Sequence, residues 1–148
     1  MASLKTDSWT NREMGFDLAR VLLVDDNLTS RLTLKTVLEA GGYHVDSAAS
    51  AAEAVGKMDE QEYELVLSDL QMESPHAGLK VLAHARMMDY KPATALITAS
   101  TNQEAPAPLP NLSRMLIKPE DLPGLLGKVA SLISNRAARK IAREMRHN

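Results

Sequence analysis

Val21-Leu22-Leu23-Val24-Asp25-Asp26 sets two carboxylates at the end of a short, unbroken apolar run, and that junction decides how the rest of the chain is read. A continuous apolar run of this length reads as a strand buried on both faces, over residues 20–25. The paired acids then mark where it emerges. Three more runs end in the same manner. Asp69 follows Leu65-Val66-Leu67 with Ser68 between, Thr98 follows Ala95-Leu96-Ile97, and Lys118 follows Met115-Leu116-Ile117. Four buried strands would deliver carboxylates, a hydroxyl and an ammonium to one edge of one sheet, and in open parallel sheets the carboxyl ends of the strands are where ligands bind.

The intervals between these runs have helical character. Leu34, Val37 and Leu38 share one face, and Gly41-Gly42 supplies a left-handed stop. A weaker strand is expected over 43–47. Ser50 with Glu53 three residues later is a capping-box signature for a helix through about Asp59. A strand over 64–68 follows. Leu79, Leu82 and Ala83 mark a third helix that opens near Gly78 and ends before Lys91-Pro92, and a strand over 93–98 comes next. Pro106, Pro108 and Pro110 then alternate with Ala107 and Leu109, so a regular helix is not expected across 100–113. Residues 114–117 form the last strand. From Leu122-Pro123 onward, Leu122, Leu125, Leu126, Val129, Leu132 and Ile133 give one apolar face at helical period. The spacing continues weakly through Ala137, Ile141 and Met145, with no Gly or Pro over 136–146 to stop the helix. Strands alternating with helices predict a parallel sheet covered on both faces.

At 148 residues the chain is one domain, large enough to bury about two-thirds of its unfolded surface. It has no Cys, which excludes disulfides, thiol chemistry and Cys-based zinc sites. His44, His76, His84 and His147 lack metal-ligand spacing and read as surface residues. No apolar stretch approaches the roughly 20 residues that span a bilayer, and residues 1–18 lack the apolar core of a signal peptide. Those residues read as a flexible leader with Trp9 and Phe16 as anchors, and the expected setting is cytoplasmic. Five basic residues against Glu144 give the last thirteen residues a net charge of +4 and leave −6 on the remainder. A basic tail can meet nucleic acid or a membrane surface, but a solvated helix end is the plainer reading. The stripe beyond Asn135 would need a partner or a second copy of the chain to cover it, so residues 136–148 read as a basic helical extension of a domain spanning 19–135.

Carboxylates brought within a few ångströms of one another repel, by about 4 kcal/mol at ~4 Å for an effective dielectric of 20. A divalent cation relieves this, and Mg²⁺ suits carboxylate and water oxygens. One carboxylate can then act as a nucleophile toward phosphorus. Thr98 and Lys118 supply a hydroxyl and a positive charge for the oxygens of a phosphoryl group.

The strings Leu22-Leu23-Val24-Asp25-Asp26-Asn27, Ser68-Asp69-Leu70-Gln71-Met72, Thr98-Ala99 and Lys118-Pro119, in that order, resemble the receiver domain of two-component response regulators. The resemblance runs from about Arg20 to Asn135. It implies a flavodoxin-like fold, a five-stranded parallel sheet of order 2-1-3-4-5 with helices on both faces, here with the fourth helix degraded. It implies a bacterial-type phosphorelay in which Asp69 is the phosphoacceptor, and Asp25 and Asp26 hold Mg²⁺ with Asp69 and the backbone carbonyl of Gln71. Thr98 would be the switch hydroxyl and Lys118 the partner of the phosphoryl group. The donor would be a sensor histidine kinase or histidine phosphotransfer protein, and the chain itself a signalling phosphoacceptor and not a conventional enzyme. Direct DNA binding is not expected, since too little chain follows the terminal helix for a helix-turn-helix.

The sequence departs from the family at three places. Receivers commonly carry Pro four residues and Gly eight residues after the phosphoacceptor, whereas this chain has Glu73 at +4, Pro75 at +6 and Gly78 at +9. Glu73 would add a negative charge near the phosphate site. Met115 stands where the family has an aromatic switch, and the Pro-rich stretch stands where it has a helix. Two alternatives follow from these features. One is a receiver-fold adaptor that works without phosphorylation. The other is a haloacid-dehalogenase-type phosphatase, for which Asn27 replaces the second Asp of the required Asp-x-Asp-x-Thr and no cap domain is present.

Overall fold

A computed structural model describes residues 19–69, 72–74, 76–98, 113–116 and 122–146. Five parallel strands are β1 (Arg20–Val24), β2 (His44–Ala48), β3 (Leu65–Asp69), β4 (Ala93–Thr98) and β5 (Ser113–Leu116), in the order β2-β1-β3-β4-β5. The helices are α1 (Leu28–Ala40), α2 (Ala51–Glu60), α3 (Ala77–Arg86) and α4 (Leu122–Arg146). The expected α/β class, strand order and alternation are all present, with boundaries displaced by a residue or so. β1 stops at Val24, so Asp25 lies just beyond the ladder. β3 runs one residue further than expected and includes Asp69. β5 begins at Ser113, one residue early. The leader 1–18, the Pro-rich residues 100–112 and the degraded fourth helix expected there lie outside the described residues.

Strand side chains alternate between faces, and here both faces are cores. Val21 and Leu23 pack with Leu34 and Leu38 of α1 and with Leu125 and Val129 of α4. Leu22 and Val24 pack with Ala54 and Met58 of α2 and with Val81, Leu82 and Ala85 of α3. Residues 21–24 are at most 1% exposed. Fully burying an aliphatic side chain of this size is worth about 1.5–3 kcal/mol.

Local chemistry sets the helix ends. Asn27 caps α1, its side-chain oxygen accepting from the Ser30 N–H at 2.9 Å. Gly42, at φ 102°, supplies the left-handed residue after that helix. Ser50 caps α2, its hydroxyl accepting the Glu53 N–H at 3.1 Å. Glu53 reaches back to the N–H of Ala49, at 2.8 Å, one residue before the usual capping-box target. His84 meets Asp59 at 2.8 Å and joins α3 to α2.

α4 follows its apolar face along the first core to Ile133 and then leaves it, with Ile141 57% and Met145 70% exposed. Arg136 ties the helix down where it departs. Its guanidinium donates to the carbonyls of Tyr90, at 2.6 Å, and Lys91, at 2.9 Å. Lys91 sits at φ 48°, a left-handed conformation that a side chain rarely adopts. The Tyr90 hydroxyl in turn donates to the Met58 carbonyl at 3.0 Å.

All three tyrosines are perturbed in one direction. Burial raises Tyr43, and burial followed by the charges of Asp59 and Glu62 pushes Tyr90 up to about 12. Burial, then the hydrogen bond to the Asp46 carboxylate at 2.7 Å and that group's charge, raises Tyr63 further, with Arg20 opposing. The unfolded chain therefore loses these protons first, near pH 10. The stability that the neutral phenols confer is complete below that value and is lost as pH rises through the raised values. Titration at 295 nm is expected to show less phenolate at pH 10 in the native protein than in urea, where ionisation is roughly half.

Candidate functional site: an acidic cluster at the carboxyl edge of the sheet

Adjacent parallel strands bring residues distant in sequence to one edge. Val24 registers with Ala48 of β2 and with Ser68 of β3, and Asp69 registers with Ile97 of β4. Asp25, one residue past Val24, and Asp69, one past Ser68, thus leave the sheet at the same level. Carboxylate oxygens of Asp25, Asp26 and Asp69 all lie within 4.8 Å of one another. This brings together the three acids picked out in the sequence.

The three differ in environment. Asp25 is 5% exposed, Asp26 is exposed and Asp69 is half-buried. Asp25 is held by its own neighbourhood. Its N–H donates to the Ala48 carbonyl at 3.0 Å and one of its carboxylate oxygens accepts the Asn27 N–H at 3.0 Å. Its carbonyl accepts from the Arg31 guanidinium at 2.8 Å. Burial is the main reason its carboxyl titrates above the ordinary range. The Asn27 hydrogen bond pulls the other way, the Asp26 charge pushes it up again, and Arg31 lowers it. Two unit charges at 4.8 Å would repel by up to about 3–4 kcal/mol at an effective dielectric of 20, before solvent screens the exposed member. The cluster is costly when fully ionised and metal-free. Hard oxygen ligands of one sign, one of them desolvated, fit a hard divalent cation.

Thr98 is the last residue of β4, one beyond the Ile97 that registers with Asp69, and its backbone pairs with Leu116 of β5. Lys118 and Gln71 lie outside the described residues. Glu73 does not join the acidic group. Its carboxylate accepts the Ala51 N–H at 2.9 Å, at the start of α2. A groove of about 810 Å³ lies at the opposite end of the sheet, among the carboxyl ends of α2 and α3 and the basic residues of α4. Its lining mixes both signs of charge, and Arg136 within it already serves two backbone carbonyls. The acidic edge, where ligand atoms converge, is the better site.

Residues 21–130 match the sequence model of the response regulator receiver domain. The chain belongs to that family. Receivers are signalling phosphoacceptor domains of two-component systems. The chain is 30% identical over 119 residues to the CAI-1 autoinducer sensor kinase/phosphatase CqsS of Vibrio cholerae, covering 77% of this chain and 17% of that protein. It is 34% identical over 79 residues to the CpxR homologue, a transcriptional regulatory protein of Haemophilus influenzae, covering 53% of this chain and 34% of the relative. The chain therefore spans a minor part of these relatives. Among solved structures, the response regulator TrrA of Thermotoga maritima, in complex with Mg²⁺-BeF, superposes with a TM-score of 0.68 at 29% identity. That match covers 78% of this receiver and 99% of TrrA. NtrX of Brucella abortus shares the fold at a TM-score of 0.74 and 18% identity, over 86% of this chain and 29% of NtrX. Among the described residues, no helix is long and apolar enough to cross a membrane.

Asp25→Asn removes a desolvated charge while keeping an oxygen for the Asn27 N–H. In chelator at neutral pH this receiver variant is expected to be more stable than wild type by about 1–2 kcal/mol in urea unfolding. The same variant should lose most of any stabilisation conferred by Mg²⁺.

Proposed function

We propose that this receiver accepts a phosphoryl group on Asp69 from a phosphohistidine on a partner protein, and that the exchange controls which proteins it binds. The observation that carries this reading is the convergence of the Asp25, Asp26 and Asp69 oxygens within 4.8 Å at the carboxyl edge of a receiver sheet. Mg²⁺ would be held by the three carboxylates and the backbone carbonyl of Gln71, and it would supply neutralisation of the acids and of the incoming phosphoryl oxygens.

A carboxylate oxygen of Asp69 attacks phosphorus in line with the phosphoimidazole. The new P–O bond forms as the P–N bond breaks, and the imidazole nitrogen keeps the electron pair and takes up a proton. The Thr98 hydroxyl and the Lys118 ammonium attend the equatorial oxygens. Water later attacks the same phosphorus, releasing inorganic phosphate and restoring the Asp69 carboxylate. The partner is a sensor histidine kinase or a histidine phosphotransfer protein, and the setting is the cytoplasm.

Mass spectrometry after treatment with acetyl phosphate and Mg²⁺ tests the chemistry. Wild type should gain one phosphoryl group, mapped to Asp69. Asp69→Asn, Asp26→Ala and chelator should each abolish it. Label on another residue, or label undiminished in EDTA, would overturn the mechanism.

The receiver body spans 19–135, and residues 136–148 form a basic extension whose exposed Ile141 and Met145 support pairing with a second copy. Light scattering of a chain truncated after Asn135 is expected to show a smaller assembly than the full chain. The same number of subunits in both would leave the extension without that role.

A further inference from the structure

Three hydrogen bonds fix Asp25 where β1 ends. Its N–H donates to the Ala48 carbonyl at 3.0 Å, and its carboxylate accepts the Asn27 N–H at 3.0 Å. The third bond runs backwards from α1. Arg31 stands in the first turn of that helix, half-buried, and its guanidinium donates to the Asp25 carbonyl at 2.8 Å. A peptide unit is planar, so the bond that orients the Asp25 carbonyl also orients the Asp26 nitrogen. It thereby restricts ψ of Asp25 and φ of Asp26, the two torsions that set where the paired carboxylates point relative to each other. On the neighbouring strand the hydroxyl of Ser68, a fully buried residue, donates to the Asp69 carbonyl at 2.9 Å. Both acidic segments are thus held through a main-chain carbonyl by a side chain that is not itself acidic.

The carboxylates oppose their own arrangement. Their oxygens lie within 4.8 Å of one another, and like charges at that range repel. Asp26 is exposed, so rotation of the Asp25–Asp26 peptide unit lets its carboxylate turn away into solvent. A charge-assisted bond to the carbonyl resists that rotation. We propose that Arg31 is a positioning residue: its bond to the Asp25 carbonyl holds Asp25 and Asp26 toward Asp69 and so tightens the grip of the three carboxylates on Mg²⁺. The proposal rests on the phosphoacceptor reading above and adds to it a residue outside the ligand set. Electrostatics alone predicts the opposite sign. A guanidinium beside the acids repels a divalent cation, so its removal would strengthen binding if charge were its whole contribution. The direction of the change therefore separates the two roles. If loss of the bond lowers the competent fraction to about 0.1–0.3, the apparent dissociation constant rises about three- to tenfold.

Two substitutions separate donor from stem. Arg31→Met keeps most of the aliphatic stem and removes both the donor and the charge. Arg31→Lys keeps a charge and a donor on a slightly shorter chain. Calorimetric titration of the full chain with Mg²⁺ is expected to show Arg31→Met about three- to tenfold weaker than wild type, and Arg31→Lys within about twofold of it. In chelator, the Asn27 amide, which is bonded to the Asp25 carboxylate, should exchange faster in Arg31→Met than in wild type and Arg31→Lys. This arm reads the tether without any metal.

Arg31→Met that binds Mg²⁺ as tightly as wild type, or more tightly, would overturn the positioning role while leaving labelling of Asp69 by acetyl phosphate standing. Arg31→Lys as weak as Arg31→Met, or Asn27 exchange unchanged in Arg31→Met, would also overturn it. A wild type that takes up no Mg²⁺ would overturn the phosphoacceptor reading and the affinity claim together.

Discussion

Burial of β1 on both faces is the constraint on which the rest of the molecule depends. Its alternate side chains feed two separate cores, one under α1 and α4 and the other under α2 and α3. A slip of one residue in its pairing would exchange the two sets and draw Asp25 into the ladder. With no face of β1 left for water, charge can appear only where the strand ends. The same holds for β3, where Leu65, Val66, Leu67 and Ser68 are all buried and Asp69 is the first residue with solvent access. The position of the acidic edge is thus a consequence of how the two cores are filled.

That edge is a place where the fold gives up stability. Three carboxylates converge, and the most buried of them has one N–H from Asn27 to its side chain and the Arg31 guanidinium on its carbonyl. Neither contact neutralises it. The arrangement persists because Asp26 is exposed, Asp69 is half exposed, and the two cores beneath supply a far larger favourable contribution. A site whose acids repel one another is stabilised by whatever neutralises them, so its occupancy can shift a conformational equilibrium strongly.

Much of this was legible in the residue order, and the exceptions have a common cause. Strands with continuous apolar runs, the Gly41-Gly42 stop and the Ser50–Glu53 pair rest on chemistry between near neighbours, and they stand as expected apart from shifts of a residue. The three acids could be grouped because strand ends in a parallel sheet share an edge. Glu73 could not be placed in that way. Its acceptor role depends on a helix start 22 residues away, which no local pattern signals. Arg136 likewise read as one more basic residue of a tail, because its two carbonyl partners lie 45 and 46 residues away. His84 gave no sign of its Asp59 partner for the same reason. Contacts of this kind emerge only once the elements are packed.

The Arg136 clamp gives the far end of α4 a mechanical property. Ten residues of helix extend from it to Arg146, about 15 Å at 1.5 Å per residue. The clamp grips the α3–β4 turn, at Tyr90 and at the left-handed Lys91, and Tyr90 is itself bonded to the end of α2. A helix clamped at that point is a lever whose fulcrum belongs to the body. A tilt of about 10° there carries Arg146 through about 2–3 Å, the length of a hydrogen bond. Small displacements of α2 or α3 are therefore magnified at Ile141 and Met145.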